Sequence, residues 1–231
     1  MEERRMQPIS NICASIYEAR DHAMIGVSPF NSYFSEDRLA DLFSWANQYF
    51  NSFHVFVPDE ATRYTLEAAG YSQARARKKA RRQANYLLNK IERALSKTSS
   101  KLDLSFVLTN GVLRKNTRYN ALLASVEKRF ATNMIFRRQC LECTRWVLEN
   151  QVEEIDTIDE AALLHAVRYF LEEMPLFMDS ASIVQARASV FCYHQCPAIL
   201  QGLYEDRSDG LMDEQQGFLI VNKPMLATKV A

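Results

Sequence analysis

The chain's apolar pattern predicts an α/β fold with helices flanking a parallel sheet, and three features carry that prediction. A short apolar run, a helical repeat and a second apolar run follow one another between His22 and Val57, which is the spacing of a βαβ unit. Further helical stretches then alternate with short runs rich in β-branched and aromatic residues. The composition suits a packed core with few long loops: 231 residues, 48% of them hydrophobic, with six Gly and six Pro. A chain of this length buries roughly 70–75% of the surface it exposes when unfolded.

Taken in order, residues 1–20 read as an N-terminal extension. His22-Ala-Met-Ile-Gly-Val-Ser28 is the first strand, closed by the polar turn Ser28-Pro-Phe-Asn31. Ser35 is the N-cap of a helix with Glu36 and Asp37 in its first turn and Leu39, Leu42, Phe43, Ala46 and Phe50 at helical spacing. Phe53-His-Val-Phe-Val57 is a second strand, stopped by Pro58. A helical stretch to Gly70 precedes one long helix from Ser72 to about Lys97. Leu102–Leu108 is expected as a third strand, followed by helix from Asn116 to about Asn150 and again from Asp159 to about Phe177. Ser189–His194 and Phe218–Asn222 are the last two strands. With no repeat, linker or low-complexity tract, residues 1–231 read as one domain.

Charge and cysteine usage narrow the function classes. Lys and Arg total 28 against 28 Asp and Glu, which excludes indiscriminate coating of a polyanion. No apolar run approaches the roughly 20 residues of a membrane span, and Met1-Glu-Glu-Arg-Arg lacks the apolar core of a signal peptide, so no membrane partner and a cytoplasmic location are expected. Five cysteines agree with a reducing compartment. Cys140 and Cys143 form a lone C-x-x-C in a helical stretch, without the second pair that a zinc site needs, so they are read as packing residues and no metal is expected. The chain is read as a monomer or a homodimer.

The zero net charge hides a partition. Residues 72–97 carry nine Lys or Arg against Glu92 alone, whereas residues 151–179 carry eight acids against Arg168. At 100° per residue, Arg75, Lys78, Lys79, Arg82, Lys90 and Arg93 share one face of the long helix, with Ala80, Ala84, Leu87, Leu88, Ile91 and Leu95 opposite. The result is a cationic stripe about 25 Å long. Solvated helices usually interleave Glu with Lys, because like charges at i,i+4 repel. A stripe lacking counter-charges fits a polyphosphate partner.

Ser28 falls where a parallel strand ends, the sheet edge at which open α/β folds bind ligands, and Gly26 before it leaves room for close approach. Gly26-Val-Ser-Pro-Phe30 fails the G-x-S-x-G elbow, so a standard esterase triad is disfavoured. Tyr169 and Glu173 stand i,i+4 near a helix end expected at Pro175, with Glu172 as their more exposed neighbour. A carboxyl flanked by Phe170, Leu171, Leu176 and Phe177 suits a raised pKa or the binding of an amine.

These segments together resemble the cyclodipeptide synthases. His22-Ala-Met-Ile-Gly-Val-Ser28 matches that family's His-x-aliphatic-aliphatic-Gly-aliphatic-Ser motif, and Tyr169-Phe-Leu-Glu-Glu173-Met-Pro175 its Tyr-x-x-x-Glu-x-Pro motif. Asn31, Tyr193 and His194 resemble the signature of the subfamily named for Asn, Tyr and His. The likeness extends from about Asp21 to about Val221 and includes the basic helix.

The resemblance implies a Rossmann-type domain similar to the catalytic domain of class I tyrosyl- and tryptophanyl-tRNA synthetases, with no cofactor. It implies two aminoacyl-tRNAs as substrates, joined into a 2,5-diketopiperazine by ping-pong catalysis through aminoacyl- and dipeptidyl-Ser28. Tyr169, Glu173 and Tyr119 would hold the α-ammonium group, Tyr193 would relay protons, and Asn31 and His194 would position it. Arg75, Lys78, Lys79, Arg82, Lys90 and Arg93 would hold tRNA. Met24, Gly26, Leu176, Phe177 and Phe191 correspond to the family's first amino-acid pocket, which Phe191 narrows and which favours an uncharged side chain of modest size. Phe56 and Pro58 fall in the second. The stretch Gln195-Cys196-Pro197 is shorter than in several members and lacks the acid some carry there, so the likeness leaves second-substrate specificity undefined. An aminoacyl-ester hydrolase and a non-catalytic tRNA-binding adapter are the rival readings.

Overall fold

The computed structural model describes residues 6–98, 104–149 and 158–222. Among these residues six strands form one sheet in the order β1-β6-β5-β2-β3-β4. They are β1 (Met6–Pro8), β2 (His22–Gly26), β3 (Ser52–Val57), β4 (Val107–Thr109), β5 (Ser189–Tyr193) and β6 (Gln216–Val221). All neighbours run parallel except β1, which pairs antiparallel with β6 at the edge. The sheet is therefore mixed. The segment read as an N-terminal extension supplies that edge strand and helix α1 (Asn11–Ala19), which is capped by Ser10 and packs on β6.

The strands alternate as a sheet covered on both faces requires. Ala23, Ile25, Val190, Cys192 and Leu219 join one core with α1, α2 (Glu36–Tyr49) and α4 (Gln73–Ser96). Met24, Phe56, Phe191 and Phe218 join the opposite core. That second core is completed by α6 (Thr117–Thr132), α7 (Met134–Glu149), α8 (Glu160–Val184) and α9 (Ala198–Glu205). Short α3 (Thr62–Ala68) and α5 (Asn110–Leu113) follow β3 and β4. Ser35 caps α2 by accepting from the Arg38 amide at 3.2 Å, and the buried stripe of α4 runs through Ala76, Ala80, Ala84, Leu87, Ile91, Ala94 and Leu95.

Three expected boundaries move. The third strand shrinks to Val107–Thr109, because Leu104–Phe106 form a 3₁₀ turn; Leu102 and Asp103 lie outside the described residues. The long helix expected from Asn116 breaks at Asn133, whose backbone is extended and whose side chain accepts from the amides of Ile135 and Phe136 at 3.0 Å each. Asn150, its expected end, also lies outside the described residues. Proline normally stops a helix by removing a donor and crowding the preceding turn, yet α8 runs through Pro175 to Val184. Leu176, Phe177 and Met178 beyond the proline are buried, and this burial outweighs the missing hydrogen bond. The interruption comes instead at Asp179 (φ −164°, ψ 62°), whose carboxylate accepts from the Ser182 amide at 3.0 Å and caps the last turn.

Candidate functional site

The chain leaves β2 toward β3 on one side of the sheet and leaves β5 toward β6 on the other, so a crevice opens above the ends of these two central strands. Ser28 lies two residues past the end of β2, and Tyr193 is the last residue of β5. Their hydroxyls are hydrogen-bonded to each other across the crevice. A cleft of about 440 Å³ surrounds them, a size suited to a small molecule.

Asn31 and His194 form the next layer. Asn31 Nδ2 donates to His194 Nε2 at 2.8 Å, while Asn31 Oδ1 accepts from the Tyr33 amide at 2.9 Å, an Asx turn that fixes the loop. Tyr33 stacks on the His194 imidazole with ring centroids 4.5 Å apart. Burial, helped by Arg38, lowers the His194 pKa to about 4, so the ring is neutral at physiological pH and its Nε2 is engaged by Asn31. The group touching Ser28 is Tyr193, whose phenol burial pushes up to about 12, with the serine hydrogen bond opposing.

Tyr169 and Glu173 enter from α8 on one helical face, as their spacing predicts, and both line the cleft. Burial raises the Glu173 carboxyl to about 8 against the hydrogen bond from Tyr169, and the nearby Glu172 carboxyl adds to the rise. Burial and Glu173 in turn push the Tyr169 phenol upward. Among the described residues Glu173 is the single acid lining the cleft, and no Lys or Arg lines it.

The expectation for Glu172 is reversed. It is buried, with its carboxylate 2.6 Å from the Arg114 guanidinium and accepting from Asn110 Nδ2 at 3.1 Å. Tyr119 also stands away from the lining: fully buried, its hydroxyl donates to the Glu172 carbonyl at 2.8 Å. It holds α8 where Tyr169 and Glu173 reach the cleft.

Of the other residues matched to the amino-acid pockets, Gly26, Phe56, Phe177 and Phe191 line the cleft, whereas Met24, Leu176 and Pro58 do not. Met24 and Leu176 are buried in the core behind it. The room left by Gly26 is filled by Phe191, whose ring would lie 2.6 Å from a Cβ at that position. Phe191 in turn packs edge-on against Phe177, with centroids 4.6 Å apart.

Sequence reasoning missed the wall supplied by α7. Cys143, Trp146 and Val147 line the cleft from one helical face, joined by Thr62 and Thr65 from α3 and by Phe170, Leu200 and Phe218. The repeat Phe136, Cys140, Cys143, Val147 is the signal that marks the inward face of α7. Cys140 and Cys143 are buried thiols with pKa values raised by burial, and among the described residues no three His, Cys, Asp or Glu side chains group as a metal site.

The cationic stripe divides in two. Toward its C-terminal end Lys90 donates to the Phe34 carbonyl at 2.9 Å, Arg93 pairs with Glu36 at 2.8 Å, and Lys97 pairs with both Glu36 and Asp37. Lys79 donates to the Tyr71 hydroxyl at 2.6 Å. Arg75, Lys78 and Arg82, together with Arg77 and Arg81, are exposed and have no ion pair among the described residues.

A sheet of this order with helices on both faces is the α/β fold of a class of enzymes related to type I tRNA synthetases. The family model for cyclodipeptide synthases matches residues 5–223, and the chain belongs to that family. It is 24% identical over 231 residues to a cyclo(L-leucyl-L-leucyl) synthase of Staphylococcus haemolyticus, covering 96% of each chain. A cyclodipeptide synthase structure from Bacillus thermoamylovorans superposes with a TM-score of 0.87 at 28% identity, covering 95% of this chain and 96% of the other. A Mycobacterium tuberculosis protein, described as demonstrating that cyclodipeptide synthetases are related to type I tRNA synthetases, gives 0.83 at 30% identity over 96% and 94%. The chain is thus an enzyme of cyclodipeptide formation.

Proposed function

We propose that the enzyme joins two aminoacyl-tRNAs into a 2,5-diketopiperazine by ping-pong catalysis through Ser28. The observation that carries this reading is the Ser28–Tyr193 hydroxyl pair set in the same cleft as Tyr169 and Glu173. Ser28 Oγ attacks the ester carbonyl of the first aminoacyl-tRNA. The ribose oxygen leaves with the proton that the serine gives up, passed through Tyr193, and an aminoacyl-serine ester remains. A phenol with a pKa near 12 stays protonated and so relays, accepting one proton as it releases another. His194 is a poor base here, since a pKa lowered to about 4 leaves it weakly basic and its Nε2 already accepts from Asn31 Nδ2.

Glu173 and Tyr169 receive the α-ammonium group. An arriving cation draws Glu173 toward its carboxylate form, and a carboxyl whose pKa lies near 8 is also suited to take the proton an amine must lose before it attacks. The amine of the second aminoacyl-tRNA, after giving up a proton to Glu173, attacks the aminoacyl-Ser28 carbonyl; the serine ester breaks, Ser28 Oγ recovers a proton and the dipeptide is left on the second tRNA. Ser28 then attacks that dipeptidyl ester, the ribose oxygen leaves with the serine proton, and dipeptidyl-Ser28 results. Attack of the free amine on that ester closes the ring and restores the serine hydroxyl. The aromatic and aliphatic lining favours uncharged side chains, and the Staphylococcus relative, which makes the leucyl-leucyl product, is consistent with that preference.

Binding of tRNA falls to the unpaired half of the stripe, Arg75, Lys78 and Arg82, since phosphate contacts position without reading sequence. Purified protein incubated with a charged tRNA pool should yield diketopiperazines by mass spectrometry, and Ser28→Ala should abolish both product and trapped acyl-enzyme. Free amino acids as the sole product would instead indicate a hydrolase. Absence of any acyl-enzyme with every charged tRNA would indicate an adapter.

A further inference from the structure

Phe30 sits in the loop that follows β2, two residues from Ser28 and on the rim of the same cleft. It is 46% exposed, unlike the aromatic residues of the cleft floor. Its backbone is left-handed, with φ 62°. Among the described residues two other non-glycine residues share that geometry, Arg20 and Gln185, and each ends a helix, where a left-handed residue closes the last turn. Phe30 ends no helix. A bulky side chain in this region is unfavourable by itself, and such strain persists where it serves to hold a side chain in place.

The ring is held toward the basic helix. Lys79 Nζ lies 5.5 Å from its centroid and is anchored by the Tyr71 hydroxyl. Phe30 therefore spans the gap between the nucleophile and the N-terminal turns of α4, where Arg75, Lys78 and Arg82 are exposed. If phosphates follow those cations and the ester reaches Ser28, the base attached to the esterified ribose has to lie between the two.

We infer that Phe30 is a stacking platform for the unpaired base of the 3′-terminal nucleotide of the aminoacyl-tRNA. The inference rests on the tRNA reading given above. A base lying on one side of the ring, with the Lys79 ammonium against it, makes a stack of the kind by which proteins hold single-stranded nucleotides without sequence selection. It places the ribose, and hence the ester, over Ser28. Phe30 is thus a positioning residue, distinct from the groups that touch the reacting carbonyl.

The test uses an uncharged acceptor-stem RNA hairpin whose 3′-terminal adenine is replaced by 2-aminopurine, a base whose fluorescence falls when it is stacked. The full-length wild-type protein should bind it and quench its emission severalfold. Phe30→Ala should bind with an affinity lowered roughly 5- to 100-fold, the worth of one base stack, and should lose most of the quenching. Phe30→Tyr should restore it, and both variants should melt at the wild-type temperature because the side chain is exposed. Equal quenching by Phe30→Ala and wild type, or salt-dependent binding without quenching by the wild type, would overturn this inference while leaving the tRNA reading intact. No binding by the wild type would remove both.

Discussion

Glu172 and Glu173 are neighbours on α8 with different surroundings. Glu172 is enclosed but paired with Arg114 and Asn110, whereas Glu173 has Tyr169 and a largely apolar cleft. Burial without a cation keeps Glu173 protonated up to about pH 8, against an ordinary Glu value near 4.5. At this group the folded protein therefore binds more protons than the unfolded chain between those values, and its contribution to stability falls as pH rises through that window. Glu173→Gln, which mimics the protonated form, should melt with the wild type at pH 5 and above it at pH 8.5, by about 2–4 °C for each kcal/mol released in a chain of this size. The same variant should lose diketopiperazine synthesis at both pH values. Coincident melting curves at pH 8.5 would mean that the carboxyl is not held neutral. Both roles were legible in part. The i,i+4 pairing of Tyr169 with Glu173 is a property of sequence spacing, but which glutamate is enclosed depends on Arg114 and Asn110, some 60 residues away.

At the scale of elements, α4 shows how periodicity locates a face without assigning its work. The apolar stripe and the cationic stripe were both readable from 100° spacing. The division of the cations was not, since Glu36 and Asp37 belong to α2 and reach Arg93 and Lys97 only through the packing of the two helices. The unpaired cations also crowd the N-terminal turns, where the helix dipole is already positive and an anion gains most. Arg75, Lys78 and Arg82 changed together to Ala should reduce the slope of log affinity for RNA against log salt by about 2 to 3, with the melting temperature unchanged or raised. Arg93→Ala with Lys97→Ala should lower the melting temperature slightly and leave that slope alone. A salt slope that responds equally to both sets would erase the division. The α7 wall escaped sequence reading for a related reason: its inward stripe is visible in the sequence, but nothing local says that the stripe faces a cleft rather than a closed core.

Across the whole molecule, the sheet has one chemical end and one locked end. Opposite the cleft, His22 Nδ1 meets Ser189 Oγ at 2.7 Å and His22 Nε2 meets His54 Nδ1 at 2.9 Å. The line continues from Ser189 to Ser180 and on to Gln216, at 2.7 Å for each contact. Burial lowers the His22 pKa to about 3, with His54 contributing, and burial lowers His54 as well. Protonating both imidazoles would set two donors face to face. The unfolded chain takes up these protons near pH 6.5 and the folded protein resists, so stability is full above 6.5 and is lost as pH falls toward 3. In a Glu173→Gln background, which removes the opposing carboxyl contribution, urea midpoints should drop from pH 6.5 to pH 4.5, and adding His22→Gln with His54→Gln should reduce that dependence while lowering stability at pH 7. An unaltered pH slope in the double variant would place the acid sensitivity elsewhere. The histidine that opens the strand motif thus has a structural part distinct from the serine that closes it.

Among the described residues both rims of the sheet are three residues long, β1 and β4, and β1 ends in Pro8, which has no amide hydrogen to offer. Unsatisfied strand edges invite pairing with other chains. Here the antiparallel strand that departs from the all-parallel plan covers the longer β6 with a short border ending in proline. A newly made copy that has formed its sheet therefore presents little template for the edge-to-edge growth that leads to aggregates, and recombinant yield should be sensitive to truncations that strip residues 6–8.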